Sequence, residues 1–117
     1  MTFTELEIFT FKKRLNLKEL AEFLADYWQI SVKSLTGKTR IQEVVDNKSI
    51  LYQISYLNGY TQQEIANVFK INRSNIAHHL KKFSNIYERE LILKYKKSII
   101  HLRNSDFWKK QIKNGLR

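Results

Sequence analysis

TQQEIANVFKINRSNIAHHLKKF, residues Thr61–Phe83, is the stretch whose reading decides the fold. Its apolar residues recur at helical spacing, pause over a short polar break, and resume in a second helical pattern. Thr61, followed three residues later by Glu64, carries the signature in which each side chain satisfies the other residue's free backbone N–H. Ile65, Ala66 and Phe69 form the inner face of the first helix, and the small Ala66 lets a second helix cross closely. Lys70, Ile71 and Asn72 form the connection, with Ile71 turned inward, and the second helix starts after Asn72 and buries Ile76, Leu80 and Phe83. An alanine in the first helix, an apolar residue in the turn and another ten residues after the alanine is the spacing of a helix-turn-helix. Two positions depart from that pattern. Lys70 stands where a glycine is common, and His79 stands where an apolar residue is usual; His79 is read as a satisfied histidine near the core.

The outward side of the second helix follows from geometry. With Ile76, Leu80 and Phe83 inside, Arg73, Ser74, Ala77, His78 and Lys81 face out, while Asn75 and Lys82 lie at the border. Such positions reach base edges in a major groove, where Arg pairs bidentately with guanine and Asn with adenine. Lys81 and Lys82 suit phosphates better. The plainer alternative is a solvated polar face on a core helix.

Further cap signatures extend the helical reading across the chain. The pattern of a cap residue with Glu or Gln three positions on recurs at Thr4/Glu7, Asn16/Glu19, Thr39/Gln42 and Asn85/Glu88. Each start is followed by an apolar stripe: Leu17, Leu20, Ala21, Leu24, Tyr27 and Trp28 on one helix, and Ile41, Val44, Leu51, Ile54 and Leu57 on a longer one that stops at Asn58-Gly59. Beyond Phe83, the residues Tyr87, Leu91, Tyr95, Ile99 and Leu102 keep a near-helical spacing, so helix resumes at Asn85 or never stops. Ser105 caps a last segment holding Trp108 and Ile112. Period-two alternation is absent, Pro does not occur, and the expected fold is an all-α, compact multi-helix domain over 1–117, with the motif at 61–83 and a C-terminal helical extension at 84–117.

Length and composition narrow the function. At 117 residues the chain is sized for one domain. No apolar run approaches the ~20 residues of a membrane span, and MTFTELEIFTFKK lacks the basic start and smooth apolar block of a secretory signal. A cytoplasmic protein is expected, in keeping with the absence of Cys. The net charge of +10 is uneven: residues 1–60 hold eight Lys or Arg against seven Asp or Glu, and residues 61–117 hold thirteen against four. A basic half points to a polyanionic partner, although the abundance of Lys, Asn, Ile, Tyr and Phe also fits an AT-rich genome.

Sharper chemistry finds little support. TGKTR, Thr36–Arg40, ends like a phosphate-binding loop, but Val32 stands where that loop needs its first glycine and no strand precedes it. His78 and His79 are adjacent and diverge by about 100° on a helix, so they cannot share a metal, and His101 is remote in sequence. No nucleophile sits with a base, so neither an enzyme nor a bound cofactor or metal is expected. The aromatic residues read as core, not as a stacking platform for single strands.

From Leu20 to Leu102 the chain resembles the carboxyl-terminal duplex-DNA-binding domain of the bacterial chromosomal replication initiator DnaA, a helical domain with a Trp-repressor-like helix-turn-helix. LADYWQISVKSLTGKTR is similar to that family's helix, linker and basic loop, ILYQISYLNGYTQQEIANVF to its long helix and first motif helix, and NRSNIAHHLKKF stands in the place of its recognition helix. The resemblance implies contacts to DNA from Lys38 and Arg40 in the loop, from Thr61, Gln62 and Gln63 at the start of the first motif helix, and from Asn72, Arg73, Ser74, Asn75, Ala77, His78, Lys81 and Lys82. Where the family carries Asp-His-Thr-Thr, this chain has Asn72, Arg73, Ser74 and Asn75 after a shorter turn, and its basic loop is reduced to Lys33, Lys38 and Arg40. The family's target sequence therefore does not transfer.

The chain does not carry the initiator's nucleotide-hydrolysing module. The resulting expectation is a small regulator of transcription or replication that binds double-stranded DNA with sequence preference. The rival is a protein-interaction module on the same scaffold, such as an accessory or inhibitory factor of a mobile element; a membrane-surface role for the basic tail ranks behind both. Residues 105–117, with Phe107, Trp108 and Ile112, either pack on the body or form a surface for self-association or a protein partner, and deletion after Asn104 is expected to leave the motif folded.

Overall fold

Leu15, the first of the described residues, is locked into the body. Its amide donates to Asn58 Oδ1 at 2.7 Å, its carbonyl accepts from the Tyr60 hydroxyl at 2.5 Å, and its side chain is fully buried. The computed structural model describes residues 15–85 and 87–115, with side chains to Lys110; Thr4/Glu7 and the side chain of Ile112 lie outside them. Seven α-helices follow in order: α1 Leu17–Trp28, α2 Val32–Thr36, α3 Gln42–Leu57, α4 Gln62–Phe69, α5 Arg73–Lys81, α6 Arg89–Arg103 and α7 Asp106–Gly115. One 3-10 turn, Lys82–Ser84, extends α5. The described residues contain no strand, so the chain is all-α as its periodicity predicts.

Helix α3 is the central post. It touches α1, α2, α4, α5 and α6, and its buried residues Val44, Asn47, Ile50, Leu51, Ile54 and Ser55 do not fall on a single stripe. Surrounded helices lose the one-sided pattern that marks a surface helix. Buried Ser49 and Ser55 keep the post slim, each hydroxyl donating to the carbonyl four residues back, Val45 and Leu51 respectively. Against it lie Leu20 and Leu24 of α1, Leu35 of α2, Ile65 of α4, Ile76 of α5 and Leu102 of α6, all in one apolar cluster. Each fully buried aliphatic of this size contributes about 1.5–3 kcal/mol by leaving water.

The helix starts sort the cap signatures. Asn16 accepts from the Glu19 amide and Ser105 from the Trp108 amide, while Thr61 and Glu64 form the full reciprocal box. Two predicted caps do not form. Thr39 Oγ1 binds the Ile41 amide, so α3 begins behind Ile41 without a side-chain cap. Asn85 closes a turn onto the Tyr87 amide, and α6 starts only at Arg89. In consequence Ile41 and Tyr87, expected on core stripes, are 65% and 87% exposed, because each precedes its helix and never joins the helical register.

Three helix ends share one device. At Gln29, Lys70 and Gly59 the backbone turns left-handed, with φ of 57°, 58° and 97°, and the next amide reaches back to the carbonyl of Ala25, Ala66 or Ser55. Only the third stop is a glycine. A side chain in this conformation costs about 1–2 kcal/mol, so Gln29 and Lys70 are held there by the packing on either side.

Residues 105–110 belong to the body. Trp108 is 4% exposed within the core cluster, and Phe107 stacks on Phe23 of α1 with ring centroids 5.2 Å apart. Of the two places open to its large rings, the body is the one that Phe107 and Trp108 occupy.

Candidate nucleic-acid interface

Helices α4 and α5 meet through Lys70, Ile71 and Asn72, the connection expected from sequence. Ala66 is buried at the crossing, and Ile65, Phe69 and Ile76 turn inward, while Ile71, Leu80 and Phe83 are half-buried against the same core. That packing fixes which side of α5 is left over. Arg73, Ser74, Asn75, His78 and Lys81 are exposed, Asn72 at the helix start is exposed too, and Ala77 and Lys82 are half-buried. Ala77 is thus less outward than its spacing predicts.

The far side of α5 is held by a histidine. His79 Nδ1 and Ser49 Oγ of α3 lie 2.6 Å apart, and the ring stands edge-on to Tyr52 at 5.1 Å. With the proton on Nδ1, the imidazole donates to Ser49, whose own hydrogen reaches the Val45 carbonyl. Burial, reinforced by the charges of Lys82, His78 and Lys48, pushes the His79 pKa down to about 4. Burial also pushes the Tyr52 hydroxyl up to about 12. An unfolded histidine titrates near ~6.5, so between these values the unfolded chain binds the extra proton and stability rises with pH. We expect the folded state to lose about 1–2 kcal/mol through this ring as pH falls from 7 through 4, the full linkage being reduced because the ring is partly open to water. Denaturant titrations at the two pH values check this, with His79→Gln, neutral throughout, showing a smaller pH dependence than the wild type.

The loop between α2 and α3 stands across a groove from α5. This open groove, about 940 Å³, is lined by Thr36–Thr39 of the loop, by Lys18 and Glu22 of α1, by Lys48 and Tyr52 of α3, and by Lys70, Asn72, Asn75 and His79. Lys38, Asn72 and Asn75, named from sequence, therefore share one surface. Lys18 and Lys48 join it without having been singled out, and Lys70 joins it from the turn, where it had been given no contact; the three lie far apart in the chain and only the fold assembles them. Four lysines against the single carboxylate of Glu22 make the groove strongly cationic. The Lys48 ammonium donates to the Gly37 carbonyl, and burial pushes its pKa down. Gly37 itself has little freedom to change: a Cβ there would lie 2.7 Å from the Lys33 carbonyl oxygen.

Other expected contacts stand apart or are already occupied. Arg40 is exposed on the same loop but does not line the groove. Thr61 accepts from the Glu64 amide and so spends its hydroxyl on the cap, and Gln63 donates to Asn67 at 2.8 Å; Gln62 is half-buried beside them. Gly37 and Lys38 follow a helix rather than a strand, unlike a nucleotide-binding loop. Among the described residues no group of three His, Cys, Asp or Glu could hold a metal, and no helix is long and apolar enough to cross a membrane.

Comparison with protein-family models, with curated proteins and with solved structures finds no match to this chain.

Proposed function

We propose that this protein binds double-stranded DNA with sequence preference, as a small regulator of transcription or replication, through a helix-turn-helix formed by α4 and α5. The observation that carries the reading is the division of α5. Ile76 is fully buried while Arg73, Ser74, Asn75, His78 and Lys81 remain exposed, beside a groove lined by Lys18, Lys38, Lys48 and Lys70. Hydrogen-bonding side chains on a projecting helix suit base edges, and flanking lysines suit the phosphates on either side. The resemblance of residues 20–102 to the DNA-binding domain of the replication initiator supports the same assignment.

Reading and sticking are separable by mutation. Arg73 lies in the first turn of α5, nearest the base edges in such a docking, whereas Lys82 lies nine residues on, at its far end. Arg73→Ala is expected to cost about 1–3 kcal/mol on the preferred duplex and to relax preference at one base pair. Lys82→Ala is expected to weaken all duplexes alike and to lower the salt slope by about one. Neither change touches Ile76, and circular dichroism checks that folding survives. Equal losses for Arg73→Ala on preferred and scrambled duplexes, titrated at one salt concentration, would remove Arg73 from sequence reading.

A further inference from the structure

Six large apolar residues stand exposed among the described residues, and three of them share one element and its lead-in: Tyr87, Leu93 and Ile100. Leu93 is 55% and Ile100 58% exposed on α6. They are seven residues apart, two helical turns or about 10.5 Å along the axis, so they lie on one line. The opposite face of α6, carrying Leu91, Tyr95, Ile99 and Leu102, is the one that enters the core. Leu93 and Ile100 therefore contribute nothing to the fold that their spacing would explain.

The charges around them are mostly basic. Arg89, Lys96 and Lys97 are exposed beside the two aliphatics, and Glu90 is the only acid on the helix. In heptad terms Leu93 and Ile100 occupy d, Arg89 and Lys96 occupy g, and Glu90 and Lys97 occupy a, so three cations and one acid flank the aliphatics at the positions that select a partner helix and its charge. A second copy of this chain would set three cations against three with only one Glu90 on each side to offset them, which disfavours self-association. A surface meant for phosphates alone gains nothing from two exposed aliphatics at its centre, whereas an apolar centre with a charged rim is the anatomy of a protein interface. None of these residues lines the cationic groove.

We propose that the outer face of α6 docks an acidic amphipathic helix of a partner protein, with the partner's apolar residues on Leu93 and Ile100 and its carboxylates on Arg89, Lys96 and Lys97. The contact is independent of DNA binding through α5, and either can fail without the other. As probe, a 21-residue helical peptide with Leu at a and d and Glu at e and g is titrated against the full chain by fluorescence anisotropy, beside a counterpart with Lys in place of Glu. The acidic peptide is expected to bind, and its affinity to fall at least tenfold in the Leu93→Asn, Ile100→Asn double variant and in the Lys96→Glu, Lys97→Glu double variant. Arg73→Ala should leave peptide binding unchanged, and the Asn double variant should leave duplex affinity unchanged. All four residues are exposed, and circular dichroism confirms the folded state of each variant. The proposal is overturned if the acidic peptide does not bind, if the Lys peptide binds as well, or if both double variants retain wild-type affinity. It is overturned equally if sedimentation shows a dimer that the Asn variant abolishes, or if vesicles rich in phosphatidylserine compete the peptide off this face.

Discussion

Replacing Trp108 by Ala is expected to destabilise the protein by about 3–5 kcal/mol, the range for deleting a buried aromatic side chain and leaving its cavity. Trp108 is buried in the common core, and its helix is tied at the start by Ser105, which accepts from the Trp108 amide while donating to the Leu102 carbonyl. Phe107 adds a second attachment through Phe23, which in turn stacks on His101 of α6 at 5.2 Å. Helix α7 thus fastens α1 to α6. Urea unfolding followed by tryptophan fluorescence and circular dichroism measures the loss, and truncation after Asn104 is expected to cost at least as much. A truncated chain as stable as the full one would mean that the tail is an appendage after all.

The second large effect is electrostatic. If about six phosphates are neutralised by the groove lysines and the end of α5, duplex affinity is expected to fall by about three orders of magnitude between ~50 and ~200 mM salt. The expectation concerns location as well as size, because Lys18, Lys38, Lys48 and Lys70 come from four different elements or loops yet line one groove, three of them from the nearly neutral first sixty residues. Fluorescence anisotropy with a labelled duplex gives the slope directly. An affinity that stays flat over this range would contradict a phosphate-binding role for these lysines.

The sequence was most legible where local chemistry is self-sufficient. Thr61 with Glu64 needs nothing but its own turn to form a cap, and α4 starts where those residues say it should. The same signature at Thr39/Gln42 and Asn85/Glu88 failed because neighbouring backbone offered Thr39 and Asn85 a tighter turn, to Ile41 and Tyr87. Left-handed helix stops at Gln29 and Lys70 carry no glycine to announce them, and tertiary packing supplies what the side chain opposes. The departure at His79 proved readable: a polar residue at an inward position called for a partner, and Ser49, thirty residues earlier, supplies it. The place of Trp108 was not legible, because a short basic segment after the last cap reads equally as a packed helix or a partner surface, and only the position of α7 against the core shows where the ring goes. The groove was legible only in part, since Lys38, Asn72 and Asn75 belong to recognisable segments while Lys18 lies on an otherwise ordinary amphipathic helix.

Selection from a random duplex pool tests the central claim most directly. The full chain at fixed salt is expected to enrich a short motif, and selection with Arg73→Ala is expected to return the same motif with preference lost at one base pair. Enrichment of no motif by the folded wild-type chain, or an identical motif from Arg73→Ala, would contradict sequence reading through α5.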